Sequence, residues 1–205
     1  LTSMMVMVDL LGDEDLPPEK RREFVARLSS QLKRIEWLVS SLLKMARLDA
    51  GVVKMKRERV KMHTLIENAL RPLLIPMEVK DIAYTVTGED EMLTCDVQWT
   101  TEAIINILKN CVEHVPEHGR IGIAARDNPL YFEIRISDNG PGISKEDLPH
   151  IFTRFYRGKN ASPDSVGIGL AMARSIIKEQ NGDVTVESRE GRGTTFFIRL
   201  YKAVV

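Results

Sequence analysis

The stretch Ile136-Ser137-Asp138-Asn139-Gly140-Pro141-Gly142-Ile143 joins the end of a strand pattern to a carboxylate, an amide and two glycines around a proline. Phe132, Ile134 and Ile136 alternate with Tyr131, Glu133, Arg135 and Ser137, so 130–137 reads as a half-buried strand that delivers Asp138 to its end. Gly140 and Gly142 let the backbone take positive φ and approach a ligand closely, while Pro141 stiffens the turn between them. An ionised Asp accepts hydrogen bonds and donates none, which suits an exocyclic amine such as that of adenine. Taken alone, the same residues also read as an Asp-Asn-Gly hairpin turn, and two further stretches bear on the choice.

Upstream, Ile104, Ile105, Leu108, Cys111 and Val112 give 101–114 a helical apolar face. Asn106 and Asn110 are four residues apart, which puts both amides on one face of that helix. Such a pair offers neutral oxygen ligands for Mg²⁺ and donors for phosphate without added negative charge; a solvated polar face is the plainer alternative. Downstream, Gly167-Ile168-Gly169-Leu170 opens a helical pattern continued by Ala173, Ile176 and Ile177. Free N–H groups at a helix start suit phosphate, although turns use Gly-x-Gly constantly.

In this order and spacing the three stretches resemble the catalytic and ATP-binding domain of sensor histidine kinases, within the adenine-nucleotide fold shared with gyrase and Hsp90. Phe152-Thr153-Arg154-Phe155-Tyr156-Arg157-Gly158 is a fourth match, and Asn181-Gly182-Asp183 with Gly191-Arg192-Gly193-Thr194-Thr195-Phe196 a fifth. The resemblance implies a site for Mg-ATP around Asn106, Lys109, Asn110, Asp138, Gly140, Gly142, Ile143, Phe155, Tyr156, Gly167, Ile168, Gly169, Leu170 and Thr194. Within it Asp138 would select adenine, Asn110 would hold Mg²⁺, Arg157 would stabilise charge on the transferring phosphoryl group, and Thr194 would support adenine through water. The basic segment between Gly142 and Gly167, with its loop Asn160-Ala161-Ser162-Pro163-Asp164-Ser165, would be the ATP lid, anchored by Phe152, Phe155 and Tyr156. Three positions, in two stretches, depart from the family pattern. Glu113-His114 stands where many relatives have a cation and an aromatic, leaving Lys109 or the lid to compensate, and Ser165 replaces a common glycine.

Composition is that of an ordinary globular protein: 205 residues, 43% apolar and 28% charged. Lys plus Arg and Asp plus Glu are both 29, so net charge gives no reason to expect nucleic acid or an anionic membrane as partner. No apolar run approaches the ~18 residues that span a bilayer. Cys95 and Cys111 stand apart, without a Cys-x-x-Cys pair, and read as packing residues. His114 and His118 are four apart, but Pro116 and Gly119 argue against a ligand-bearing helix there, and no zinc site is expected.

Toward the N-terminus, Leu1, Met4, Met5, Val8 and Leu11 fall at helical spacing, and 12–18 is a turn rich in acids and prolines. Pro17, Pro18 and Glu19 mark the start of a second helix that should run to about Asp49. Its apolar residues make three columns, Leu28-Ile35-Leu42, Phe24-Leu38-Met45 and Val25-Leu32-Val39-Ala46. A two-stranded coiled coil needs two, so the wider stripe argues for a helical hairpin that pairs with a second copy into a four-helix bundle. In the family this hairpin is the dimerisation and phosphotransfer domain. Its acceptor His sits in a His-acid-x-x-Thr-Pro-Leu box, which the resemblance places six residues before Leu1; the chain is therefore expected to be a fragment.

Beyond Ala50-Gly51, a strand is expected at 54–60, a helix at 63–74 ended by Pro72 and Pro76, and strands at 82–87 and 92–95 about a Gly-Glu-Asp turn. Strand pairs are expected for 120–126 with 130–137 and for 184–187 with 195–200. The expectation is thus an α+β chain: residues 1–50 a hairpin forming a dimeric four-helix bundle, and 51–205 an α/β sandwich that binds ATP. By resemblance it is the cytoplasmic kinase core of a bacterial membrane sensor, with membrane segments upstream of Leu1. It would transfer the γ-phosphoryl group to a His and then to the Asp of a response-regulator receiver domain. The alternative is a non-catalytic or phosphatase-biased dimeric scaffold that uses nucleotide as a conformational ligand.

Overall fold

The computed structural model describes residues 2–13, 15–159, 161 and 165–202. It divides into two compact units, 1–46 and 47–205. Most of the loop expected at 160–165, namely Asn160 and Ser162 to Asp164, lies outside the described residues, as does Leu1.

The first unit is a helical hairpin: α1 (Thr2–Leu11) and the greater part of α2 (Pro18–Asp49). Pro18 opens α2, where its missing N–H costs nothing, and Glu19 complements the helix dipole. The turn is tied by Arg21, whose Nη2 donates to Asp13 O at 3.0 Å. Along α2, Val25, Leu32, Ile35, Val39, Leu42 and Leu43 are exposed in the single chain.

In the second unit, a small antiparallel sheet pairs β1 (Arg57–Lys61) with β3 (Met92–Asp96). The main sheet has the order β2-β4-β5-β7-β6. Its strands are β2 (Ala83–Thr87), β4 (Arg120–Asp127), β5 (Tyr131–Asp138), β6 (Gly182–Arg189) and β7 (Gly193–Tyr201). The helices are α3 (Met62–Leu70), α4 (Leu74–Val79), α5 (Val97–His114) and α6 (Gly169–Lys178). β2 runs parallel to β4, and every other pair in the sheet is antiparallel.

Alternation along the strands sorts the two faces of this sheet. Ile121, Ile123, Ile134, Ile136, Phe196 and Ile198 are buried, as are Leu65, Ile104, Leu108, Met172 and Ile176 of the helices. The intervening residues make a polar and aromatic face: Arg199 pairs with Glu133 at 2.7 Å and lies over the rings of Tyr131 and Phe197. The sheet is therefore covered on one side only, as its antiparallel strands allow.

The strands expected on either side of Gly88-Glu89-Asp90 are present and join different sheets, β2 the main one and β3 the small one. Two local expectations need correction. The first strand begins at Arg57, later than expected, because its length is set by pairing with β3. Pro72 and Pro76 do not end the helical region: α3 passes into a 3-10 turn, Arg71–Leu73, and then into α4, with Pro76 in its first turn, where proline is tolerated.

α5 is pinned at both ends. Asp96 caps its start, Oδ1 accepting from Trp99 N at 3.0 Å and Oδ2 from Lys56 N at 2.8 Å. The amide of Asp96 in turn donates to the buried Gln180 at 2.7 Å, which also hydrogen-bonds Thr100. At the other end, Lys80 Nζ donates to the carbonyls of Val112, Glu113 and Val115 at 2.8, 3.1 and 3.1 Å. A cation there satisfies carbonyls the helix cannot and opposes its negative end.

Candidate functional site

Asp138 ends β5, the central strand of the sheet, with β7 on one side and Thr194 in register with it. Its carboxylate accepts from Gly140 N at 2.8 Å. Burial pushes the Asp138 carboxyl above the usual carboxylate range, against the opposing pull of the Gly140 amide, the Cys111 thiol, the Thr194 amide and the nearby His114. Cys111, on α5, is itself buried and its thiol is raised well above the ordinary cysteine range by that burial, with the charge of Asp138 adding to the effect. Read from the sequence as a packing residue, Cys111 is thus also a neighbour of the carboxylate. An apolar face at helical spacing carried no sign of that contact.

The turn after Asp138 is fixed by its neighbours. Asn139 reaches back to β4, where its Oδ1 accepts from Arg120 N at 2.7 Å. Gly142 takes φ 74°, and a Cβ there would run into the Arg189 carbonyl. Gly193 takes φ 95°, and a Cβ there would strike the carbonyl of Asp138. Only glycine meets both conditions at either position. Gly140 lies against the His114 carbonyl, so the end of α5 and this turn are in contact. Ile143 N donates to Ser188 Oγ at 2.8 Å, tying the turn to β6. The sequence reading missed Ser188, which lies outside the quoted motifs.

Asn106 is buried, and its Nδ2 donates to Glu102 O, one turn back, at 2.8 Å. Its Oδ1 faces the start of α6, where a Cβ on Gly169 would come within 3.0 Å of it. Asn110 is half-buried one turn further along α5. Lys109 is exposed and lies 3.9 Å from Glu113, the acid that departs from the family pattern. Ile168 is buried, while Leu170 and Gly169 are half-buried at the opening of α6.

Preceding α6, the Phe-rich segment folds onto the second glycine box. Phe155 N donates to Gly167 O at 2.8 Å, and a Cβ on Gly167 would meet the Tyr156 carbonyl. Tyr156 donates its hydroxyl to Asp147 Oδ1 at 2.6 Å and packs on His150, with ring centres 5.3 Å apart. Phe152 lies beneath the Arg174 guanidinium at 5.0 Å. Phe155, expected as a third anchor, is not one: it takes a left-handed φ of 64°, and 58% of it is exposed. Arg157 is exposed beside it.

α5 therefore touches the Asp138 turn near Cys111 and His114, and the second glycine box at Asn106. Two family models match the sequence of the chain. The family described as histidine kinase-, DNA gyrase B-, and HSP90-like ATPase covers residues 95–204, and the His Kinase A phospho-acceptor domain covers 1–51. The chain belongs to this ATPase family, in its histidine kinase branch. Among similar proteins, the sensor histidine kinase YclK of Bacillus subtilis is 27% identical over 205 residues, covering 98% of this chain and 43% of its own. The histidine-protein kinase/phosphatase MprB of Mycolicibacterium paratuberculosis is 30% identical over 213 residues, covering 98% and 40%. The chain thus spans less than half of the length of these relatives. The crystal structure of histidine kinase ThkA in complex with response regulator protein TrrA superposes with a TM-score of 0.78 at 21% identity, over 98% of this chain and 57% of that one. No helix among the described residues of this chain is long and apolar enough to cross a membrane.

Proposed function

We propose that this chain is the kinase core of a two-component sensor that binds Mg-ATP and transfers the γ-phosphoryl group to a histidine, and from there to a response-regulator aspartate. What carries the reading is the single helix, α5, that contacts both the Asp138 turn and the glycine box at α6. A purine amine at Asp138 and phosphates beneath Gly167 and Gly169 then share one wall. Residues 1–50 form the dimerisation and phosphotransfer hairpin, and 51–205 the catalytic domain.

In this reading Asp138 accepts the purine amine, Gly140, Gly142 and Ile143 shape the turn beside it, and Thr194 closes it from β7. Asn110 and the oxygen of Asn106 face the phosphates with Lys109, and the segment of Tyr156 and Arg157 closes over them, Arg157 stabilising charge on the transferring group. Phe155, Ile168 and Leu170 border the same space. No group of three or more His, Cys, Asp or Glu suited to a metal occurs among the described residues. A lone amide fits Mg²⁺, which keeps waters and substrate phosphates in its shell and seldom needs an all-protein cage. When bound, Mg²⁺ would neutralise phosphate charge.

The exposed apolar stripe of α2 supports pairing with a second copy through the hairpin. The ThkA–TrrA complex supports a response regulator as partner, and the relatives' names support a bacterial sensor, of which this chain would be the cytoplasmic part. Mixing the chain and Mg-ATP with a hairpin fragment that carries the acceptor histidine tests the function: label on that histidine is expected. ATP binding without label would overturn the kinase reading in favour of a scaffold.

A further inference from the structure

At the β6 side of the proposed purine site, one hydroxyl has every hydrogen-bonding position filled. Ser188 Oγ lies 2.8 Å from Ile143 N, 3.0 Å from Gly193 O and 3.0 Å from Thr194 Oγ1. A hydroxyl has one hydrogen and two lone pairs. The Ile143 amide can only donate and the Gly193 carbonyl can only accept. The Ser188 hydrogen therefore goes to Gly193, and one lone pair receives Ile143. Thr194 must then donate its own hydrogen to the second lone pair. The reverse assignment would set the Ser188 and Gly193 oxygens against each other with no hydrogen between them.

Asp138, Thr194 and Ser188 are successive register partners across β5, β7 and β6, so they form a row on one face of the sheet. Thr194 is buried, so its hydroxyl is held by these neighbours and not by bulk water. With its hydrogen committed to Ser188, Thr194 Oγ1 has lone pairs alone to present beside a carboxylate that also only accepts. We propose that Ser188 is a specificity-determining residue: by taking the Thr194 hydrogen it makes this edge acceptor-only, favouring a 6-amino purine over a 6-oxo purine. The inference rests on the nucleotide site proposed above. In Ser188→Ala the Thr194 hydroxyl is free to rotate and offers a donor to a 6-oxo group.

Calorimetric titration of the chain with ATP and with inosine triphosphate tests this. The unaltered chain should prefer ATP. Ser188→Ala should weaken ATP binding and shrink the preference about fivefold to tenfold, the scale of one neutral hydrogen bond. Ser188→Thr, which keeps the hydroxyl, should retain it. Thr194→Val removes the acceptor while leaving the Ile143 contact in place, and should shrink the preference too, which covers the case in which Ser188→Ala does not fold. Equal losses for both nucleotides in Ser188→Ala, or an undiminished preference in Thr194→Val, would mean that Ser188 merely braces the loop and would overturn the proposal. An unaltered chain that bound both nucleotides equally would instead sink the adenine site itself, and the proposal with it.

Discussion

Arg154 holds Asp49 in a two-pronged ion pair, Nη1 to Oδ2 at 2.7 Å and Nη2 to Oδ1 at 2.6 Å. Asp49 is the last residue of α2, where a negative charge is unfavourable to the helix, and Arg154 belongs to the segment that carries Tyr156 and Arg157. The hydrogen bonds from Arg154 keep the Asp49 carboxyl below the usual range. A depressed carboxyl stabilises the fold above its unfolded pKa, and that contribution is lost as pH falls through the folded value. Both side chains are close to half exposed, so solvent screens the pair.

Arg154→Ala is accordingly expected to lower stability by no more than about 1 kcal/mol at neutral pH, with the difference vanishing in acid. Arg154→Lys should not restore it, because an ammonium cannot make the planar fork. Urea denaturation of the three proteins at neutral and acid pH checks both statements.

Asp138→Asn should weaken ATP more than it weakens inorganic triphosphate, since only ATP carries the amine. Calorimetry with the two ligands decides it, and matching losses would remove Asp138 from the purine end.

The raised Asp138 carboxyl gives a pH signature. ATP affinity should fall on acidification at a pH above that of an ordinary aspartate, ~3.9, because the protonated acid loses an accepting position. Cys111→Ala removes a donor to the charged form, so the fall should move to still higher pH. Inorganic triphosphate, titrated alongside, subtracts protonation of the phosphate chain.

Asn110→Asp should impair binding of Mg-ATP, since it would place a charge beside the proposed phosphate position and alter the amide's ligand geometry. Unchanged affinity by calorimetry would exclude Asn110 from the site.

Lys80→Met should cost about 1–3 kcal/mol, the price of leaving carbonyls of α5 without a partner. Thermal denaturation reads the loss.

The elements of this fold are legible wherever one periodicity dominates. Alternation marked β5 and its Asp138, and helical spacing marked α5 with its two asparagines. Contacts that depend on distant partners are not legible in this way: Lys80 reaches Val112 across 32 positions, Ile143 reaches Ser188 across 45, and Gln180 reaches Asp96 across 84. Cys111 fits the apolar face of α5 whether or not a carboxylate lies beside it, so pattern alone cannot reveal its second role. Pro72 and Pro76 misled for a related reason. Proline forbids a helix interior yet is accepted in a first turn, and nothing local says where the next helix begins. Phe155 reads as an anchor by its chemistry, but the turn that pairs its amide with Gly167 points the ring outward.

A helix clamped at both ends by Asp96 and Lys80 is also a measuring rod. Asn106 and Cys111 are five residues apart on α5, about 7.5 Å along the axis at 1.5 Å per residue. A molecule held both at the Asp138 turn, which Cys111 backs, and at the glycine box, which Asn106 backs, would have to bridge that interval, so adenine by itself would engage one of them while its phosphorylated nucleoside reaches the other. Length, and not only the chemistry at either end, thereby enters the choice of what can occupy the site.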